Sequence, residues 1–451
     1  MIRPLAAPLA ALLLAASPTA RATETPLTLD EALALAAQQS HELAIARADA
    51  ALAGADTLGS LQGLLPRLDL STSAGRQFYG PSSYDQVDPI TGQVVPHSTS
   101  ASDFGAYALN LQLTVPLVDL AAWRSRSQAR ASERAATLGH QETRLTVAYD
   151  VIRRFYEQLK AERSLAVLRK SAARSQELLD RSEALYAAGR AQKADTVSAR
   201  VNLGNDLIAV QQAEVRLVQA RSDLAAALGQ PGDRALSVVA PAALEGTGLP
   251  AGEPPPVEAL LATARERRPS LAAAAAQVEA ADATLGVARA GYLPTLAAQA
   301  SYARSGLGAT GTEGVYGDPS RNYSAQLGLV LKWNFFAGRA TEASVVRAQA
   351  GADKSRASAA RTLDAAAGEV SGARFAVVSL ARQVSLSADN LGAAEQGLAL
   401  ARQRLEAGLA SQLEVRDATL KLTQAELSLV QARIDHAVAV ANLARVVGGT
   451  L

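Results

Sequence analysis

Residues 186–229, YAAGRAQKADTVSARVNLGNDLIAVQQAEVRLVQARSDLAAALG, and residues 405–448, LEAGLASQLEVRDATLKLTQAELSLVQARIDHAVAVANLARVVG, are one pattern written twice, 219 residues apart and without a gap. Each copy opens on a glycine, Gly189 or Gly408, inside an Ala-, Leu-, Gln-, Arg- and Glu-rich region free of proline. Glycine there suits a tight turn between two antiparallel helices. After the turn the apolar residues fall into heptad rows. Val201, Ile208 and Val215 form one, and Leu203, Val210, Leu217 and Leu224 a second. The other copy repeats both rows as Leu413, Leu420, Leu427, Ile434 and as Val415, Leu422, Leu429, Leu443, with His436 filling the gap in the latter.

A heptad row is a coiled-coil seam. Rows two residues apart lie about 200° apart around a helix axis. Two seams on nearly opposite flanks give each helix a neighbour on either side, as in a stave of a hollow cylinder. A globular helix shows one broad apolar stripe instead. An extended coiled-coil scaffold would show similar rows and stays open at this point.

Proline is absent from Leu117 to Gln230 and from Ser320 to the C-terminus. It costs about 3 kcal/mol inside a helix, so these are the stretches where long helices are allowed. The arms before the turns, residues 121–187 and 338–406, extend ~100 Å at 1.5 Å per residue. Between the two copies, residues 230–256 are rich in Pro and Gly and read as a connector.

Upstream of each long arm the period changes from helical to two. Tyr107, Leu109, Leu111, Leu113 and Val115 alternate with Ala108, Asn110, Gln112 and Thr114. Residues 322–335 alternate likewise, with Val330 the exception, and Arg67–Ala74 and Thr295–Tyr302 are weaker copies, opening near Leu65-Pro66 and Leu293-Pro294. Apolar-out, polar-in strands of about ten residues fit an outer-membrane barrel. Of 18 aromatic residues, 13 lie between Pro66 and Trp123 or between Tyr292 and Phe336, as interfacial girdles require. A half-buried soluble sheet would alternate too; the leader described next and the pairing of strands with long helices favour the membrane. Four strands cannot close a barrel, and an open edge in lipid leaves backbone groups unpaired at several kcal/mol each. Oligomerisation follows, and three chains supply twelve strands around a water-filled lumen.

Arg3, the apolar run Leu5–Ala16 and Ala20-Arg21-Ala22 read as a secretory signal cleaved after Ala22. The run is too short for a membrane anchor, and no other stretch approaches the ~20 apolar residues of a transmembrane helix. The expected organisation is a signal peptide at 1–22, periplasmic helices at 23–64 and a first strand pair at 65–119 with its extracellular loop at 79–103. A helical hairpin at 120–229, with its tip near 186–195, leads to the connector. The second repeat brings a helix at 257–291, a strand pair at 292–336 with its loop at 305–321, and a hairpin at 337–448 with its tip near 405–414. The fold class is α+β: four transmembrane strands per chain continued by long coiled-coil hairpins.

Composition agrees. The chain has 451 residues, 49% hydrophobic yet only 4% aromatic, because alanine supplies much of the apolar content. Such a chain packs long helices closely rather than building a bulky core. With Lys+Arg 44 against Asp+Glu 43 there is no electrostatic case for nucleic acid. Cysteine is absent, which excludes disulfides, thiolate metal sites, Cys nucleophiles and a lipidated N-terminal Cys. His41, His97, His140 and His436 have no ligand spacing, and no G-x-x-x-x-G-K phosphate loop occurs. No cofactor, metal site or catalytic set is expected.

Taken together, the twofold repeat, the strand pairs inside long helices, the signatures Tyr186-x-x-Gly189-x(5)-Asp195 and Leu405-x-x-Gly408-x(5)-Glu414, and the ends Ala226–Gly229 and Arg445–Gly448 resemble the TolC-like outer-membrane efflux protein family. The resemblance covers about Leu27–Gly448. It implies a homotrimer in the bacterial outer membrane whose twelve-stranded barrel continues into a periplasmic helical tunnel. It further implies docking of the tips around Gly189 and Gly408 onto a periplasmic adaptor (membrane fusion) protein, served by an inner-membrane transporter of RND, ABC or MFS type.

The family rings its periplasmic entrance with acids, and the matching positions are Glu414 and Asp417, on one helix face by their i, i+3 spacing. The family's closed members pair an Arg and a Tyr of the second hairpin with an Asp of the first. Asp195 keeps the last position, but the Tyr and Arg positions hold Leu405 and Ala410. Closure would need other residues, with Arg190, Lys193 and Arg416 nearby. Tyr186, Gly189, Arg190, Asp195, Leu405 and Gly408 make up the expected docking tips. A periplasmic adaptor is the alternative from another class, yet it should carry one hairpin, not two interrupted by strands. Small-molecule efflux and protein secretion are not separated by the sequence.

Overall fold

The computed structural model describes residues 26–232, 236–241, 253–308 and 323–449; the expected leader at 1–22 lies outside them. The chain runs β1 (Pro26–Leu27), α1 (Leu29–Gln39), α2 (His41–Gly59), β2 (Arg67–Tyr79), β3 (Ser82–Val87), β4 (Val94–Thr99), β5 (Ser102–Val118), α3 (Leu120–Ala187) and α4 (Lys193–Ala227). It continues through β6 (Ser237–Val238), α5 (Val257–Arg267), α6 (Pro269–Ala290), β7 (Thr295–Gly308), β8 (Tyr323–Lys332), α7 (Ala340–Glu406) and α8 (Gln412–Val447). Two compact units result. One takes the chain up to Gln38 with Asp150–Ala251 and Gln383–Asp435; the other takes Gln39–Tyr149, Gly252–Arg382 and the chain from His436.

The second unit holds a four-stranded antiparallel sheet in the order β2-β5-β7-β8. Its register confirms the alternation row by row. Leu68, Leu113, Ala300 and Leu327 stand level on one face, and the next level of that face is Leu70, Leu111, Tyr302 and Ala325. The opposite face carries Asp69, Gln112, Ser301 and Gln326, then Ser71, Asn110, Ala303 and Ser324. One face is thus mainly apolar and the other mainly polar across four strands, although the leucines of β2 and β8 are exposed in the single chain. Tyr302 and Tyr323 stack at the outer end of the apolar face. At the opposite end Trp333 lies 4.4 Å from Phe335 and donates its indole N–H to the Tyr292 carbonyl. β8 ends at Lys332, short of the expected Phe335, because this aromatic corner turns the chain toward Gly338 and α7.

The stretch 79–103, expected as a loop, is largely strand. β3 and β4 pair from Ser82↔Thr99 to Val87↔Val94, in the same register as the β2–β5 ladder that ends at Tyr79↔Ser102. One long hairpin therefore runs from Arg67 to Val118, interrupted at Gly80-Pro81. Its turn is held by Asp88, whose carboxylate accepts from the Ile90 and Thr91 amides. Those bonds favour the ionised form and hold the Asp88 pKa below its usual value. Most of the second expected loop, 309–322, lies outside the described residues.

Helices of this unit start on signals the sequence carries. Ser40 caps α2, Asp119 accepts from the Ala122 amide at the start of α3, and Pro269 opens α6. Leu260 and Ala264 of α5, Val370, Ala373 and Val377 of α7, and Leu443, Val446 and Val447 of α8 pack into one core. Arg268, buried beside it, is bound by Glu369 at 2.7 Å.

His436 occupies the heptad position that Leu217 holds in the first repeat, and it is buried. Burial disfavours the imidazolium and pushes its pKa below the ordinary 6.5. The folded chain then takes up this proton at lower pH than the unfolded chain does. Stability from the neutral ring is therefore complete above about pH 6.5 and declines as pH falls below it. His436→Leu is expected to raise the thermal midpoint, and to raise it more at pH 5.5 than at pH 8. Equal shifts at both pH values would show that the ring's ionisation plays no part.

The first unit is built from α1, the ends of α3 and α7, all of α4 and most of α8, with β1, ahead of α1, and β6, inside the expected connector, forming a short parallel pair. Each hairpin has its own apolar seam. Leu165, Ala172, Val210 and Ala213 join α3 to α4, while Leu398, Ala401, Val415 and Leu422 join α7 to α8. The two heptad rows have different fates. Val210 and Leu224, and likewise Val415, Leu422 and Leu429, are buried within the chain. Val201, Ile208 and Val215 remain 57%, 57% and 69% exposed.

Candidate functional site at the hairpin turns

The two turns have nearly the same geometry. Gly189 and Gly408 sit at φ 73° and 72°, where a side chain would be strained. Each closes its helix by a bond reaching back five residues: the Arg190 amide donates to the Leu185 carbonyl and the Leu409 amide to the Arg404 carbonyl, both at 2.8 Å. Tyr186, Arg190 and Leu409 are exposed around these turns, and Leu405 is half-buried.

Asp195 does not reach the second hairpin as a lock would require. Its carboxylate accepts from the Gln192 amide, half of a capping box that starts α4. Glu414 and Asp417 lie in the first turns of α8, as their spacing demands, and each already has a cation. Arg404 stands 3.3 Å from Glu414 and Lys421 2.7 Å from Asp417. These exposed pairs contribute roughly 0–1 kcal/mol each to stability, but each cation formally offsets the acid it faces.

Arg416 is the candidate whose surroundings the sequence did not foretell. It is buried, and its guanidinium grips Asp206 of α4 through Nη1 to Oδ2 at 2.8 Å and Nη2 to Oδ1 at 3.1 Å. Nη1 also donates to Ser175 Oγ of α3 at 2.8 Å, and Ser175 donates to Asp206. A cavity of about 250 Å³ beside this group is lined by Asp195, Asn202, Gln412 and Arg416 among others. The structure therefore brings Asp195 and Arg416 to one cavity without joining them. Above and below, Ser182 donates to Gln412 at 2.7 Å, Thr423 to Ser171 at 3.1 Å, and Arg174 to Glu426 at 2.9 Å. The signal was present but quiet. Ser171, Ser175 and Ser182 share a face of α3, and Arg416, Thr419, Thr423 and Glu426 share one of α8, each set interrupting an Ala/Leu background.

Comparison with known proteins decides the family. The family model described as outer membrane efflux protein matches residues 32–230 and 260–449, one block per repeat. The chain belongs to the outer membrane efflux protein family. Among members of that family, the pyoverdine export outer membrane protein OpmQ of Pseudomonas putida is 27% identical over 432 residues, covering 93% of this chain and 86% of the relative. The Campylobacter jejuni CmeC outer membrane channel superposes with a TM-score of 0.78 at 17% identity, over 93% of this chain and 85% of that one. The outer-membrane channel OprN gives 0.75 at 20% identity, over 94% and 90%. These structures share the α+β fold of the efflux proteins. The present chain is accordingly an outer-membrane export channel component whose long helical part is periplasmic.

Proposed function

We propose that three copies of this chain close into one passive conduit: a twelve-stranded barrel through the outer membrane, continued by a tunnel whose periplasmic turns receive an adaptor protein fed by an inner-membrane pump. The carrying observation is the open four-stranded sheet, apolar on one face and polar on the other, with β2 and β8 both left as edges. In lipid those edges require strands from other copies. The conduit does no chemistry, and energy comes from the pump, of RND, ABC or MFS type. A small-molecule cargo is supported by the relative named for pyoverdine export, which spans nearly the whole chain. Extraction from outer membranes in mild detergent, followed by native mass measurement, is expected to give three chains; a water-soluble single chain would remove the reading.

At the entrance, Glu414 and Asp417 supply six carboxylates per trimer, each facing its own cation, Arg404 or Lys421. Like charges around a narrow opening attract divalent cations. Neutralising both as Glu414→Gln and Asp417→Asn is expected to weaken divalent-cation block of single-channel current in planar bilayers about tenfold. Unchanged block would place these carboxylates away from the pore. Of the three basic residues considered for closure, Arg190 and Lys193 are exposed while Arg416 is bound across hairpins, so Arg416 is the one that holds this end together within the chain.

A further inference from the structure

The two hairpins are interchangeable in shape. α3 ends and α4 begins 219 residues before α7 ends and α8 begins, the turn glycines share one φ, and the heptad rows coincide under the same offset. On the closed-ring reading, every copy thus offers its neighbours two hairpins of one geometry. Apolar seams of Leu, Val and Ala do not distinguish a hairpin of the same chain from that of the next copy. Exchange of hairpins between copies is the hazard built into such a duplicated chain.

The polar contacts that join the first hairpin to α8 are not duplicated. Arg416 corresponds to Val197 in the other repeat, and its partner Asp206 to Ala425. Arg174 corresponds to Ala393, and its partner Glu426 to Leu207. Ser175 corresponds to Ala394. Val197 and Leu207 are exposed on the chain's surface, whereas Arg416, Asp206, Arg174 and Glu426 are largely buried inside it. Their polarity also alternates: α8 offers a cation at Arg416 and an anion at Glu426, met by an anion on α4 and a cation on α3. Sliding α8 by the ten residues between them would set Glu426 against Asp206. A buried ion pair adds little stability over an apolar pair of the same volume, but a buried charge without its partner is strongly disfavoured. Its best-attested use is to fix partner and register.

We propose that this ladder is an address: it commits the first hairpin to the second hairpin of the same chain, in one register, and prevents exchange between copies. The remaining joint, where apolar rows are exposed, is left for the neighbouring copy.

The cysteine-free sequence allows a direct test. Ser182→Cys with Gln412→Cys places a thiol on each hairpin where the side chains touch. With the ladder intact, oxidation is expected to link the hairpins within one chain, so that denatured, unreduced protein runs as a single chain. With Arg174, Asp206, Arg416 and Glu426 all changed to Leu, disulfide-linked multimers are expected to rise at least about tenfold. Should that variant not fold, co-expression of a chain carrying Arg416→Asp with one carrying Asp206→Arg gives the same readout. Each then finds its opposite charge only across chains, and links between chains are expected to dominate. Links confined to single chains in the Leu variant or in the co-expressed pair would overturn the proposal while leaving a native trimer standing. A wild type whose native mass is one chain would overturn the closed ring and this proposal together.

Discussion

Ile208→Asp combined with Val215→Asp is expected to abolish assembly without unfolding the hairpin. Both residues lie in the row of α4 that the chain leaves uncovered, next to Val201. Burying a Val or Ile side chain contributes about 1.5–3 kcal/mol. The double change removes two such anchors from every joint between copies and asks each joint to desolvate two carboxylates. A loss of at least about 5 kcal/mol per joint follows, more than a thousandfold in association at 1.4 kcal/mol per factor of ten. Native mass in mild detergent should fall from three chains to one, while far-ultraviolet circular dichroism keeps its helical signal. Val210→Asp is the control. It sits two residues from Ile208 but in the covered row against Leu165 and Ala172, so it should lower helical content and yield before it affects assembly. Trimers that survive the double Asp change would mean that the exposed row faces water or lumen, and the stave arrangement would need another seam.

The sequence told these rows apart only as two rows. Heptad period and their angular separation are readable from spacing, but which flank the chain itself covers depends on where the partner helix lies. A straight helix turns 3.6 residues per turn, not 3.5, so a heptad row drifts by about 20° each repeat. In α8 burial changes along one row: Leu413 is 76% exposed, Leu420 47%, Leu427 half-buried and Ile434 2%. The neighbouring row stays buried from Val415 to Leu443, so drift alone does not set the change, which follows what packs beside each part of the helix. Ile434 thus belongs to a seam by spacing and to the core by position, a distinction invisible to a strict count of sevens.

Strand period was legible for the same reason that it mattered. Each of the four sheet strands alternates because lipid and lumen impose opposite chemistry on its faces. β3 and β4 escaped notice because both their faces meet water and no alternation is imposed. Gly80-Pro81 and Pro96 moreover read as loop, although proline is tolerated on an edge strand. Glycine and proline's absence are the signals on which the turns were expected, and Gly189 and Gly408 adopt positive φ. The capping use of Asp195 was not legible, since a capping box three residues from Gln192 and a lock to a distant Arg demand the same side chain. Ser175, Asp206 and Arg416 come from three helices, and only tertiary structure brings them within 3 Å. In sequence each is one more polar residue on a helix that has many.

Gly448→Ala is expected to destabilise the sheet-bearing unit more than any other single methyl group added to it. Gly448 follows α8 at φ 100°, a backbone conformation that L residues rarely adopt. A Cβ built there would lie 2.7 Å from the Arg267 carbonyl carbon and the Arg268 amide nitrogen, and 2.8 Å from the Arg267 oxygen. Those atoms are backbone, at the junction where α5 ends and α6 begins, so no side-chain rotation can relieve the contact. The junction is also fixed from the other side, because Arg268 is buried and bound to Glu369. Strain in φ costs about 1–3 kcal/mol, and forced displacement of the packed backbone adds a similar amount. A loss of roughly 3–5 kcal/mol follows, a large fraction of ordinary stability. The comparison is Gly408→Ala. Its φ is also positive, but a Cβ there meets nothing within 4 Å, so only the backbone term remains. Thermal unfolding in detergent should therefore show a shift for Gly448→Ala at least twice that for Gly408→Ala. Equal shifts would mean that conformation alone, and not the approach of Arg267, accounts for glycine at the end of α8.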